Sequence, residues 1–192
     1  MSKTGILLLS LALVAVTAAG TADVAQKSHA DTPAFEIRKI DRQVVLYTIY
    51  RGSYDRAGMA IGNLFALAGQ KGIQPRASAS YTYLNNPDRV SSEHWLTEIR
   101  IPVGEQALKL AGTLGDFTDV KELPATQAAV ATKPEGLADP GPLYRKLYAW
   151  IHKQGYVVTD AHSEVFLTNA MGGDYAGMKT QIYVPVEKLT TP

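Results

Sequence analysis

Apolar and polar positions alternate between two rhythms along this chain. QVVLYTIY (Gln43–Tyr50) is dense in β-branched and aromatic residues and predicts a strand. The rhythm then lengthens. In AGMAIGNLFALAGQKG, Ile61, Leu64, Phe65 and Ala68 fall on one helical stripe, and Gly72 closes it as a C-terminal glycine. Asp55, in the turn RGSYDRAG, is the candidate N-cap. SYTY and LTEIRIPV read as strands joined by the polar connection NNPDRVSSE. The same order then returns, beginning with the strand TQAAVAT (Thr126–Thr132) and the loop KPEGLADPGP. In LYRKLYAWIHKQG, Leu143, Leu147, Trp150 and Ile151 make the stripe; Pro142 suits the first turn and Gly155 ends the helix. SEVFLTN and KTQIYVPV follow, around the Gly- and Asn-rich NAMGGDYAG.

The return is a repeat with a constant offset. Ser80 aligns with Ser163, Leu84 with Leu167 and Asn86 with Asn169, each pair 83 residues apart. Gly72 with Gly155, Thr97 with Thr180, Ile99 with Ile182, Pro102 with Pro185 and Val103 with Val186 obey the same offset, so no gap is needed. Tandem β-α-β-β units are therefore predicted, in an α+β domain related by a pseudo-twofold; its expected total of eight antiparallel strands and two helices is two strands more than the six segments marked here. The domain is placed at residues 35–188, with repeat one at 35–104 and repeat two at 117–188. Neither half buries its own apolar face easily, so the two are expected to fold together.

The N-terminus does not join this pattern. MSK and the apolar run GILLLSLALVAV, followed by small residues, predict a signal peptide over residues 1–22, with cleavage somewhere within residues 17–25. A flexible leader over residues 23–34 follows. The expected location is periplasmic or secreted; the alternative is an uncleaved inner-membrane anchor, although the run is shorter than a full span requires. The absence of Cys excludes disulfides, thiol nucleophiles and Cys-held metals. Nineteen Lys and Arg against eighteen Asp and Glu leave a net charge of +1, with the basic residues scattered, which argues against a nucleic-acid partner.

YRGSYDRAG leading into the first helix, LYAWIHKQGY closing the second, SEVFLTN and the ending IYVPV together resemble the GyrI-like domain, also the effector-binding domain of AraC-type and multidrug-responsive bacterial regulators. The resemblance runs from about Phe35 to Lys188. It implies a groove between sheet and helices that takes small amphipathic, often cationic, molecules. It also implies an acidic residue on the strand after the second helix, a position that Glu164 holds here. On that strand Glu164 and Phe166 share one face. Tyr81 is the repeat mate of Glu164, Tyr183 lies on the neighbouring strand, and Tyr144 starts the second helix; with Glu164 and Phe166 these are the candidate ligand-binding residues. The chain departs from the regulators in having no helix-turn-helix, which makes direct transcriptional control an unsuitable reading.

The other chemistries are thinner. Asp160, His162 and Glu164 alternate, so a strand would put them on one face, offering two metal ligands or a base beside an acid. No third ligand stands at a recognisable spacing, so no metal is assigned and no cofactor is expected. Adjacent strand residues face opposite ways, which excludes a Ser163–His162 catalytic pair. Some GyrI-like proteins are hydrolases of electrophilic small molecules, and there Glu164 would be the catalytic base with Tyr81 or Tyr183. A tetrapyrrole-binding family shares the duplicated fold; His152, the single helical histidine, would be its axial ligand. The leading expectation is a small-molecule binder, with no protein partner named.

Overall fold

Residues 34–167 and 178–190 are described by the computed structural model. The expected signal peptide, most of the expected leader and the connection NAMGGDYAG lie outside the described residues. In chain order the elements are β1 (Glu36–Ile40), β2 (Gln43–Arg51), α1 (Ala57–Gln70), β3 (Ser80–Tyr83), β4 (Leu96–Val103), β5 (Thr118–Leu123), β6 (Thr126–Lys133), α2 (Gly141–Lys153), β7 (Tyr156–Val158), β8 (Ser163–Phe166) and β9 (Thr180–Lys188).

One antiparallel sheet carries all nine strands, in the order β1-β6-β9-β8-β3-β4-β2-β5 with β7 added beside β9. The order is palindromic under the repeat, since β1 matches β5, β6 matches β2, β9 matches β4 and β8 matches β3. Each unit therefore opens with one more strand than the hydrophobic pattern marks. β1 and β5 are short and charged (EIRKI and TDVKEL), which hides their alternation. Both cross over. β1 pairs with β6 of the later unit, and β5 pairs with β2 of the earlier one.

The pseudo-twofold extends to individual hydrogen bonds. Leu84 N–H donates to Leu96 O at 2.9 Å, and Leu167 N–H to Lys179 O at 3.1 Å. Where the two units meet, Tyr83 N–H donates to His162 O while Phe166 N–H donates to Ala79 O, each the other's image. One break in symmetry has a simple cause. The bridge Pro75–Val103 corresponds to Val158–Val186 of β7, but proline has no N–H with which to continue a ladder, so repeat one stops at an isolated bridge.

Helix α1 buries Ala57, Ile61, Leu64 and Ala68 against Val44, Leu46, Ile99 and Ile101 of β2 and β4. Helix α2 buries Leu143, Leu147 and Ile151 against Ala129 and Ala131 of β6 and Ile182 and Val184 of β9. Phe65, expected in the first stripe, is 39% exposed, and Trp150 sits at the border of the second core with its ring 5.8 Å from Phe35. Asp55 does not cap α1. It lies inside a 3-10 turn (Tyr54–Arg56) that feeds directly into the helix, so α1 starts after Arg56 with no side-chain cap. Among the described residues no helix is long and apolar enough to cross a membrane.

Gly72 and Gly155 end the two helices with φ of +67° and +71°. A Cβ would meet nothing within 4 Å at Gly72 and only Lys188 Nζ, at 3.7 Å, at Gly155. The obstacle to a side chain is therefore the backbone conformation itself. Gly72→Ala and Gly155→Ala should each lower the unfolding free energy by about 1–2 kcal/mol, with unchanged urea m-values.

Candidate functional site

The site is built where β3 and β8 lie side by side at the pseudo-axis. Their register pairs Tyr81 with Glu164 directly, flanked by Ser80 with Val165 and Thr82 with Ser163. Alternation then puts Tyr81, Tyr83, Glu164 and Phe166 on one face, beneath the N-terminal turns of α2. Tyr144 and Tyr148, one helical turn apart, reach down from above. The space enclosed is about 930 Å³, and its walls also include Tyr54, Lys133 and His162. The loop from Leu84 to Asp88 and the turn Asp139–Gly141 form its rim.

Glu164 is 4% exposed and its carboxylate is fully engaged. Tyr144 donates its hydroxyl to Oε1 at 2.5 Å. Thr180 Oγ1 donates to Oε2 at 2.9 Å, and Lys133 Nζ lies 2.5 Å from the same oxygen. A buried carboxylate is tolerated only with such compensation, and here an ammonium and two hydroxyls provide it. Burial, and after it the Glu164 charge, push the Tyr144 phenol far above the ordinary tyrosine range, so it stays a neutral donor. Tyr83 is driven up for the same two reasons in the same order, Tyr54 likewise, and Tyr148 by burial.

The other wall is aromatic. Tyr81 meets Phe166 edge to face, with centroids 4.9 Å apart. His162 lies between Tyr144 and Tyr83, at 4.9 Å and 5.1 Å, with Nδ1 3.3 Å from the Tyr148 hydroxyl. Tyr54 closes on the edge of Tyr83 at 5.0 Å and stacks on Trp95 at 4.3 Å.

Four of the five expected residues, Glu164, Tyr81, Phe166 and Tyr144, converge on this space. Tyr183 does not join them. In the β8–β9 register Glu164 faces Ile182, so Tyr183 stands with Ser163 on the opposite side of the sheet. There its hydroxyl donates to Gln181 at 2.7 Å and accepts from Arg38 at 2.9 Å, under the Arg38 guanidinium. Asp160 also departs from the expected face. It precedes β8, is exposed, and accepts from the Ala161 N–H. Among the described residues no three His, Asp or Glu are grouped so as to hold a metal. His152 is exposed on α2 and lies away from the pocket walls.

Lys133 and Thr180 were missed by the sequence reading, because the first was assigned to a loop and the second to an ordinary strand face. The repeat offset carries the missing signal, since it sets Lys133 opposite Tyr50 and Thr180 opposite Thr97. At the first place the later unit has an ammonium where the earlier one has a phenol; at the second both have Thr.

No family profile matches this chain, and no curated protein matches it in sequence. Solved structures do match. The C-terminal domain of EcmrR superposes with a TM-score of 0.65 at 17% identity, over 82% of this chain and 99% of that one. EcmrR in its complex with DNA gives 0.67 at 16% identity over 82% of this chain, which spans 58% of that longer one. A hydrolase from Listeria innocua gives 0.59 at 12% identity, over 80% and 91% of the two chains. The shared fold is the GyrI-like one. At these identities the likeness is one of fold, and the GyrI-like architecture is what brings the Glu164 strand to the centre of the sheet.

The pseudo-twofold supplies an internal control. Thr180 Oγ1 serves Glu164, whereas buried Thr97 Oγ1 finds no hydrogen-bond partner among the described residues. Thr180→Val should cost about 1–3 kcal/mol in urea unfolding, while Thr97→Val should be neutral or stabilising. His162 gives a pH test. Burial holds it below its ordinary 6.5, with Glu164 pulling the other way. As pH falls the unfolded chain takes up this proton first. The contribution of His162 to stability is thus complete above about pH 6.5 and declines towards the folded value. His162→Phe should remove that slope in unfolding curves recorded from roughly pH 5 to 7.5.

Proposed function

We propose that this chain is an exported small-molecule-binding protein of GyrI-like type, taking amphipathic ligands, organic cations among them, in the Glu164 pocket. The observation that carries the reading is one buried carboxylate set into an aromatic-walled space of about 930 Å³. Mostly apolar walls with a few fixed polar groups suit drug-sized molecules, and aromatic faces attract cations by about 0.5–2 kcal/mol each. Export rests on the N-terminal pattern of a basic start, an apolar run and small residues. A role as sensor, scavenger or accessory subunit fits a binder with this placement.

Hydrolysis is the second reading, favoured by the likeness to the Listeria innocua hydrolase and by phenols set beside a carboxylate. A general base must reach a water or substrate proton, and here both Glu164 oxygens are already taken by Tyr144, Thr180 and Lys133. Binding is therefore the better-supported function. Turnover of strained electrophiles by wild type, lost in Glu164→Gln, would reverse that preference.

Glu164→Gln should lower the melting temperature, because it leaves Lys133 buried without its counter-charge. The further expectation concerns ligand. Lipophilic cations should raise the wild-type melting temperature and lose most of that effect in the variant, a loss of about tenfold in affinity. Equal shifts in both proteins would remove Glu164 from the site.

A further inference from the structure

The cation position of this pocket already holds a cation. Lys133 closes β6, and its side chain is nearly as buried as the carboxylate it meets, 10% against 6% exposed. The fold's symmetry gives no reason for a charge there. In the earlier unit the place belongs to Tyr50, whose ring packs against the first core and whose hydroxyl donates to Ser53 O at 3.2 Å. We propose that Lys133 is a tethered occupant of the ligand-cation subsite, displaced by the positive group of an incoming ligand, so that it sets the pocket's threshold for cations. The proposal rests on the small-molecule reading above.

Three features make the exchange physically reasonable. Tyr144 bonds Oε1 and Thr180 bonds Oε2 independently of Lys133, so the carboxylate stays aimed when the ammonium leaves. Replacing one cation by another leaves Glu164 paired, whereas a neutral molecule that expelled Lys133 would strand a buried charge. Withdrawn to the pocket mouth, the ammonium regains water while its flexible stem remains against the wall. The protein with Lys133 withdrawn is a minor state, and ligand affinity is reduced by the fraction that state represents. Removing the tethered ammonium removes that penalty.

The test uses 4-phenylbutylammonium and its neutral counterpart 4-phenylbutanol, titrated calorimetrically into wild type, Lys133→Met and Lys133→Met/Glu164→Gln. The amine is expected to bind Lys133→Met at least about tenfold more tightly than wild type, with the alcohol changed less than about twofold. The double variant should bind both alike. Amine affinity unchanged by Lys133→Met, with the amine still bound, would overturn the tethered-occupant proposal and leave the binding reading standing. No binding of either compound to any of the three proteins would sink the binding reading itself. Because Lys133→Met leaves Glu164 buried and unpaired, folding is checked separately. In Lys133→Ala, n-butylammonium should restore the melting temperature while leaving wild type unmoved; failure of that rescue would equally count against the proposal.

Discussion

The floor of the pocket is positioned by one short ladder, β3 against β8. It joins the two quasi-equivalent halves of the sheet through three residue pairs, tightened on the far face by Thr82 Oγ1 and Ser163 Oγ at 2.8 Å. Because the ladder lies on the pseudo-axis, its central pair consists of repeat mates, and the flanking pairs, Ser80 with Val165 and Thr82 with Ser163, exchange under the symmetry. Tyr81 opposite Glu164 is a consequence of symmetry, and so is the reciprocal bonding of Tyr83 and Phe166 to the backbone around Ala79 and His162. Slipping this register by one residue would turn the carboxylate to the other face of the sheet.

On that symmetric frame the two units have taken different chemical parts. In the earlier one, Ile61, Tyr50, Thr97 and Tyr81 stand where the later one has Tyr144, Lys133, Thr180 and Glu164. Ile61 and Tyr81 belong to the α1 core, Tyr50 packs against it, and the Thr97 hydroxyl finds no hydrogen-bond partner among the described residues; the later set forms one connected polar cluster around a single carboxylate. Small residues help to separate the two. Ala129 of β6 replaces Leu46 of β2, so the later half offers the helix a slimmer apolar surface. A duplicated fold has thus kept a core under each helix and opened a pocket beside the second one.

Much of this was legible because a repeat doubles the information at each position. The offset of 83 residues locates the strands, matches the helix-ending glycines and makes Tyr81 the repeat mate of Glu164. Tyr183 shows where that reasoning stops. Adjacency of strands follows from topology, but which of two neighbouring residues turns inward depends on pairing register, and nothing local to IYVPV encodes it. Lys133 is hidden for a different reason: a charge at the boundary of an apolar strand reads as solvated, and its partners are Glu164 on β8 and Thr180 on β9, 31 and 47 residues later along the chain. The β1 and β5 segments were hidden by their charges, which belong on strands at the two margins of a sheet.

Those marginal strands carry a kinetic consequence. β1, made first, finds its partner in β6, some 90 residues later along the chain. Closing so long a loop costs entropy before any contact repays it, and architectures dominated by distant pairings fold slowly. The opening strand waits without its mate until the second unit is available, so this margin of the sheet closes only after the later unit exists.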